Sequence, residues 1–101
     1  MNFINLTPHS IALNDGRVFP TTGIVARVTS SFTDIVDDTC RVQYGSVQDI
    51  PAPQDGVRYI VSAMVLAASD RKDLVAPATS HPDCRRDQNG HIVSVPCFVY
   101  K

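Results

Sequence analysis

Glutamate and tryptophan are absent from this chain, and leucine occurs only four times in 101 residues, so the usual material of long amphipathic helices is scarce. All ten acids are aspartate, which prefers caps and turns. Basic and acidic residues nearly cancel at a formal charge of −1, so nothing in the overall balance demands the basic face that duplex nucleic acid would normally require, and none is expected as a partner. Three cysteines, Cys40, Cys84 and Cys97, make an odd number without C-x-x-C spacing, and no secretory leader precedes them; a reduced, cytoplasmic chain is expected. No apolar run approaches the roughly 20 residues of a membrane span, the longest being residues 63–68. The five glycines form neither a dinucleotide fingerprint nor a phosphate loop, and no serine stands in a nucleophile elbow, so no cofactor is expected.

Strand-forming residues are abundant. Isoleucine, valine and threonine together number 27, which favours sheet. The stretch from Arg58 to Ser69 pairs a buried-strand signal, Tyr59-Ile60-Val61, with a helix that Ser62 can cap. From Ala63 to Ala68 every residue is apolar, so this short principal helix, residues 62–69, should be covered on most sides. Asp15-Gly16 and Asn89-Gly90 supply the positive φ of tight hairpins, the first between residues 11–14 and 17–19, the second between 85–88 and 91–100. Pro96 makes the outgoing strand of the second hairpin an edge or a bulged one. Further strands are expected at residues 3–6, 24–32, 41–44 and 74–76, with a bulge or turn at Gly45. Residues 33–40 can be a loop or one helical turn, and the run Asp70-Arg71-Lys72-Asp73 reads as a solvated turn. About seven strands and one helix give an α/β chain of the α+β kind: one compact domain, residues 1–101, with a mixed, mainly antiparallel sheet and one short helix packed on it.

Candidate chemistry is sparse. His81 and Cys84 stand three apart, and Cys40, Cys97, His9 and His91 could complete a zinc site; a structural zinc usually draws on two close pairs, so no metal is expected. His9 could act as a general base for cleaving a cyclic phosphodiester, or be an ordinary surface histidine. Asn5, Thr7 and His9 at one strand end and Ser62 at another combine polar side chains with a helix start, where a phosphate could sit. Arg27 and Arg71 would then be its countercharges. The plainer alternative is that Ser62 caps its helix and Thr7 closes a turn.

Asn5-Leu6-Thr7-Pro8-His9, Gly23 with Ala26-Arg27-Val28, Tyr59-Ile60-Val61-Ser62, the run from Arg71 to Pro77, and Arg86-Asp87 before Gly90-His91-Ile92-Val93 form an ordered pattern over nearly the whole chain. In this the chain resembles a family of small proteins of bacteriophages, prophages and actinobacteria. By analogy with small phage inhibitors of host defence, some of which sequester cyclic or ADP-ribose-type nucleotide signals, the resemblance implies a phosphorylated nucleotide ligand held in the host cytoplasm. Asn5, Thr7, His9, Arg27, Ser62, Arg71 and Arg86 would be the ligand-binding residues. A homo-oligomer is expected, because one small domain offers little concave surface. The alternatives are a small hydrolase of such a signal using His9 and a virion or host-protein interaction module without a small ligand.

Overall fold

The computed structural model of the protein describes residues 2–101. Its centre is a four-stranded sheet of β1 (Asn2–Asn5), β6 (Val57–Ile60), β7 (Leu74–Pro77) and β10 (Phe98–Val99), in that spatial order. Tyr59, Ile60, Leu74, Val75 and Ala76 are almost fully buried, and apolar residues on both faces are what a covered parallel pair requires. Accordingly β1 pairs with β6 and β6 with β7 in parallel, while β10 returns antiparallel along β7. A parallel step needs a crossover, and α1 (Ala63–Ala68) supplies it.

Three hairpins surround this sheet, so antiparallel pairing dominates the molecule although two of the three pairings within the central sheet are parallel. They are β2 (Ile11–Ala12) with β3 (Val18–Phe19), β4 (Arg27–Phe32) with β5 (Val42–Gln48), and β8 (Arg85–Arg86) with β9 (Ile92–Ser94). The expected α+β architecture, a mixed sheet with one short helix, is what the chain adopts. The strands are more numerous and shorter than the composition suggests, ten among the described residues. Pro96 does not bulge one long strand but divides it, sending β9 to its hairpin and β10 to the central sheet.

Alternation sorts the central side chains onto two faces. Ile4, Leu6, Tyr59, Val61, Leu74 and Ala76 point to the face that carries α1 and the root of the β4–β5 hairpin, where Val65, Leu66, Val28 and Val47 close the core. Burying each such side chain contributes about 1.5–3 kcal/mol. The helix starts as expected: the Ser62 hydroxyl accepts from the Val65 N–H at 3.2 Å. Its coverage is narrower than its composition suggests, because only Val65 and Leu66 are buried and Met64 is half-exposed. Alanine explains the difference: with so small a side chain it favours helix without needing cover.

The β4–β5 hairpin projects from the body. A radius of gyration of 15.3 Å exceeds the roughly 13 Å of a compact chain this long, and the longest dimension is 48 Å. Gly45 lies in a β-bulge, where the register shifts between Val28 and Ser30; a Cβ there would run into the Thr29 hydroxyl. Residues 33–40 are the hairpin's outer end and contain no helical turn. Val36 pairs with Thr39 around Asp37 and Asp38, whose φ of 51° and 63° give the doubly left-handed turn usual for two-residue hairpins.

Candidate functional site

The residues singled out by sequence divide between the two ends of the central sheet. Asn5, Thr7, Ser62 and Arg27 lie at the carboxyl ends of the parallel strands: the Leu6 N–H donates to the Ile60 carbonyl, and the Ala26 N–H to Leu6. The polar side chains of Asn5, Thr7 and Ser62 are committed to the fold, whereas Arg27 is exposed. The Asn5 Oδ1 accepts from the Thr7 N–H at 2.9 Å and from its hydroxyl at 2.6 Å, while Nδ2 donates to the carbonyls of His9 and Phe19. This buried knot closes the bend around Pro8 and ties it to β3, so Asn5 and Thr7 act as turn residues. The His9 imidazole stands outside the knot, exposed, and the residue contributes its carbonyl.

Arg71 does not converge with Ser62. It lies beyond the C-terminal end of α1, where its N–H donates to the Ser69 hydroxyl, and six helical residues, about 9 Å, separate the two ends. Its guanidinium forms a two-pronged pair with Asp73 (2.9 and 2.5 Å) and lies 5.7 Å from the centre of the Tyr59 ring. The Arg71 fork holds the Asp73 carboxyl below its ordinary range, and the same hydrogen bonds raise the Arg71 pKa. The charge run 70–73 is therefore a partly buried, structured turn, because a bidentate pair stacked on an aromatic ring is better satisfied against the core than in water. Arg86 is exposed on β8 and donates to the Gly90 and Thr79 carbonyls, closing its own hairpin. His81 and Cys84 share one turn, and among the described residues no three potential ligands come together as a metal centre would need.

A concave site exists elsewhere, on the sheet face opposite the helix. Phe3 of β1, Phe19 of β3 and Phe98 of β10 meet with ring centres 5.1–5.8 Å apart, two of the three contacts edge-to-face. Beside this aromatic cluster opens a cleft of about 240 Å³ whose wall includes Leu13, Val75, Cys97 and Tyr100. Comparison of the chain with protein-family models, with curated proteins and with solved structures finds no match. The cleft has to be read from its own chemistry.

Two guanidinium groups, Arg17 and Arg58, line it. Arg17 is tethered to Asp15 at 2.9 Å across the first hairpin turn, and its N–H and guanidinium hold the Asp15 carboxyl below its usual value. Arg58 is half-buried on β6, and its side chain has no hydrogen bond or ion pair among the described residues. A cation held against apolar walls without a countercharge is a receptor for an anion, and the neighbouring rings offer stacking to a planar group. Sequence reasoning missed both arginines. The available signal was alternation: with Tyr59 buried toward the helix, Arg58 must face the other way.

Proposed function

We propose that the protein binds a small phosphorylated nucleotide in the aromatic cleft, without chemically altering it. The observation that carries this reading is the Arg58 side chain, without an ion pair among the described residues, in a wall that apart from it and Arg17 is mainly apolar and aromatic. Its planar fork matches two phosphate oxygens, Arg17 stands beside it already paired with Asp15, and a base stacked on aromatic rings gains about 1–3 kcal/mol. A cleft of 240 Å³ is smaller than the usual roughly 300–1,000 Å³, so it suits one phosphate with one planar unit rather than a whole dinucleotide. None of the three histidines lines it, and its wall offers no paired base and nucleophile; that favours capture over hydrolysis. The resemblance to small phage proteins gives such capture a purpose, the withdrawal of a host nucleotide signal.

Incubation with a panel of mononucleotides and cyclic dinucleotides, followed by denaturation and chromatography of what was bound, tests the proposal. Release of an intact nucleotide is expected. Arg58→Ala should weaken uptake at least tenfold, about 1.4 kcal/mol or more, and Arg71→Ala should leave affinity unchanged in the folded protein. Uptake that does not depend on Arg58, or no uptake of any nucleotide, sinks the reading, and a hydrolysed product replaces it with the phosphodiesterase alternative.

A further inference from the structure

We infer that Tyr100 is the residue on which the base of the bound nucleotide stacks, so that the cleft selects nucleotides over sugar phosphates that lack a base. The inference rests on the reading of the cleft as a nucleotide site and assigns that site its specificity.

Three aromatic side chains line the cleft: Phe3, Phe98 and Tyr100. The two phenylalanines are already engaged, packed on each other with ring centres 5.1 Å apart and each meeting Phe19 nearly at right angles. Such a cluster steadies the sheet but leaves little open π surface for a ligand. Tyr100 takes part in no aromatic pair among the described residues and is 75% exposed. Its ring leaves in water an apolar face that a base laid upon it would cover.

Exposed as it is, the ring stands on an anchored backbone. On one side Val99 is held in register with Ala76 by the pairing of β10 with β7. On the other, the Lys101 ammonium donates to the Ala67 and Ser69 carbonyls at the end of α1, at 3.0 and 3.1 Å. Lys101 thus reaches the helix face of the sheet, and alternation turns Tyr100 to the cleft face, where Phe98 also lies. Only the two side-chain torsions of the tyrosine remain to be fixed on a ligand, at low entropic cost. Arg58 on β6 and Tyr100 at the end of β10 stand on either side of β7, whose Val75 lies in the wall between them. Two strand spacings, roughly 10 Å, is the reach of a single nucleotide from its phosphate to the far side of its base. Arg58 takes the phosphate and Tyr100 the base.

Titration calorimetry of the whole chain with the ribonucleoside 5′-monophosphates and with ribose 5-phosphate, which keeps the sugar and phosphate but has no base, tests this. The parent should bind at least one of the nucleotides roughly fivefold or more tighter than ribose 5-phosphate, the worth of one stacked base. Tyr100→Leu, which keeps apolar bulk without a ring, should lose that preference and leave the affinity for ribose 5-phosphate as it was. Tyr100→Phe should retain the preference, and both variants should fold as the parent does because the ring is exposed. A parent that binds nucleotide and sugar phosphate equally, or a Tyr100→Leu protein that keeps the preference, overturns the inference, while binding that depends on Arg58 leaves the nucleotide reading standing. A parent that binds none of these probes overturns it too, and the nucleotide reading then stands or falls on uptake of the cyclic dinucleotides.

Discussion

The middles of β6 and β7 are buried on both faces, whereas β4 and β5 stand in solvent beyond Val28 and Val47, although β4, β5 and β6 are alike rich in β-branched and aromatic residues. What separates them is the pattern of polar residues. Tyr59-Ile60-Val61 and Leu74-Val75-Ala76 are unbroken apolar runs, and such runs demand cover on both sides. Thr29, Ser31 and Gln43 line one side of the projecting arm that β4 and β5 form, leaving it wet, while Val28, Phe32, Val42 and Tyr44 share the other with Ser30. Body strands bury their side chains in the core; arm strands leave most of theirs in solvent.

The largest effect that sharpens this contrast is expected at Leu66→Asp. It places an unpaired charge in the core between helix and sheet, costing well over about 3 kcal/mol, and the cooperative thermal transition should disappear. A retained transition near that of the parent would show that the helix is not part of the body.

Next is Asn5→Ala, which removes four hydrogen bonds from a buried knot and leaves the Thr7 N–H without its acceptor. Urea unfolding should report a loss of about 2–4 kcal/mol, with Asn5→Asp no better because the carboxylate cannot donate to the His9 and Phe19 carbonyls. If Asn5→Ala keeps full stability but loses nucleotide uptake, the residue belongs to a binding site after all.

Asp73→Asn comes third, at about 1 kcal/mol near neutral pH, since the pair it breaks is only partly buried. Its pH dependence follows from the sign of the shift. The folded-state pKa of Asp73 is lowered, so the contribution is complete above the unfolded aspartate value of about 3.9 and is lost as pH falls through the lower folded value. Stability of parent and variant, measured from neutral to strongly acidic pH, should converge below about 3.9. A gap that persists unchanged in strong acid would rule out the ion pair as its source.

The smallest effect should lie in the arm. Gly45→Ala should cost less than about 1 kcal/mol even though a methyl group meets the Thr29 hydroxyl, because that hydroxyl can rotate about χ1 into solvent. The thermal midpoint measures it, and combining the change with Thr29→Ala should remove what cost there is. A loss as large as that of Asn5→Ala would mean that arm and body fold as one tightly coupled unit.

Much of this fold could be read from local chemistry. Asp15-Gly16 and Asn89-Gly90 form their hairpins, and Ser62 caps the one helix, because these signals act over a few residues and the surroundings do not oppose them. Asp37-Asp38 escaped reading because aspartate is an unusual occupant of both left-handed positions; the flanking β-branched residues, not the turn itself, make the hairpin. The candidate cleft was hidden for a different reason. Arg58 and Phe98 lie on two strands of the central sheet and Arg17 on the loop between β2 and β3; tertiary pairing brings them together, and no spacing along the chain connects them. Arg71 misled in the same way: arginine is a natural anion ligand, but a carboxylate two residues away claims it first.

The arm also interrupts the chain between two strands that must find each other. β1 pairs with β6 across more than fifty residues, and until that loop closes the parallel sheet lacks an edge. Within that loop the β4–β5 hairpin can zip locally, since its partners lie close in sequence. Doing so shortens the free chain left to close by nearly half, which lowers the entropic barrier by roughly 0.6 kcal/mol, about a threefold gain in rate. By this argument an early β4–β5 hairpin would act as a clasp, bringing the first strand within reach of its partner.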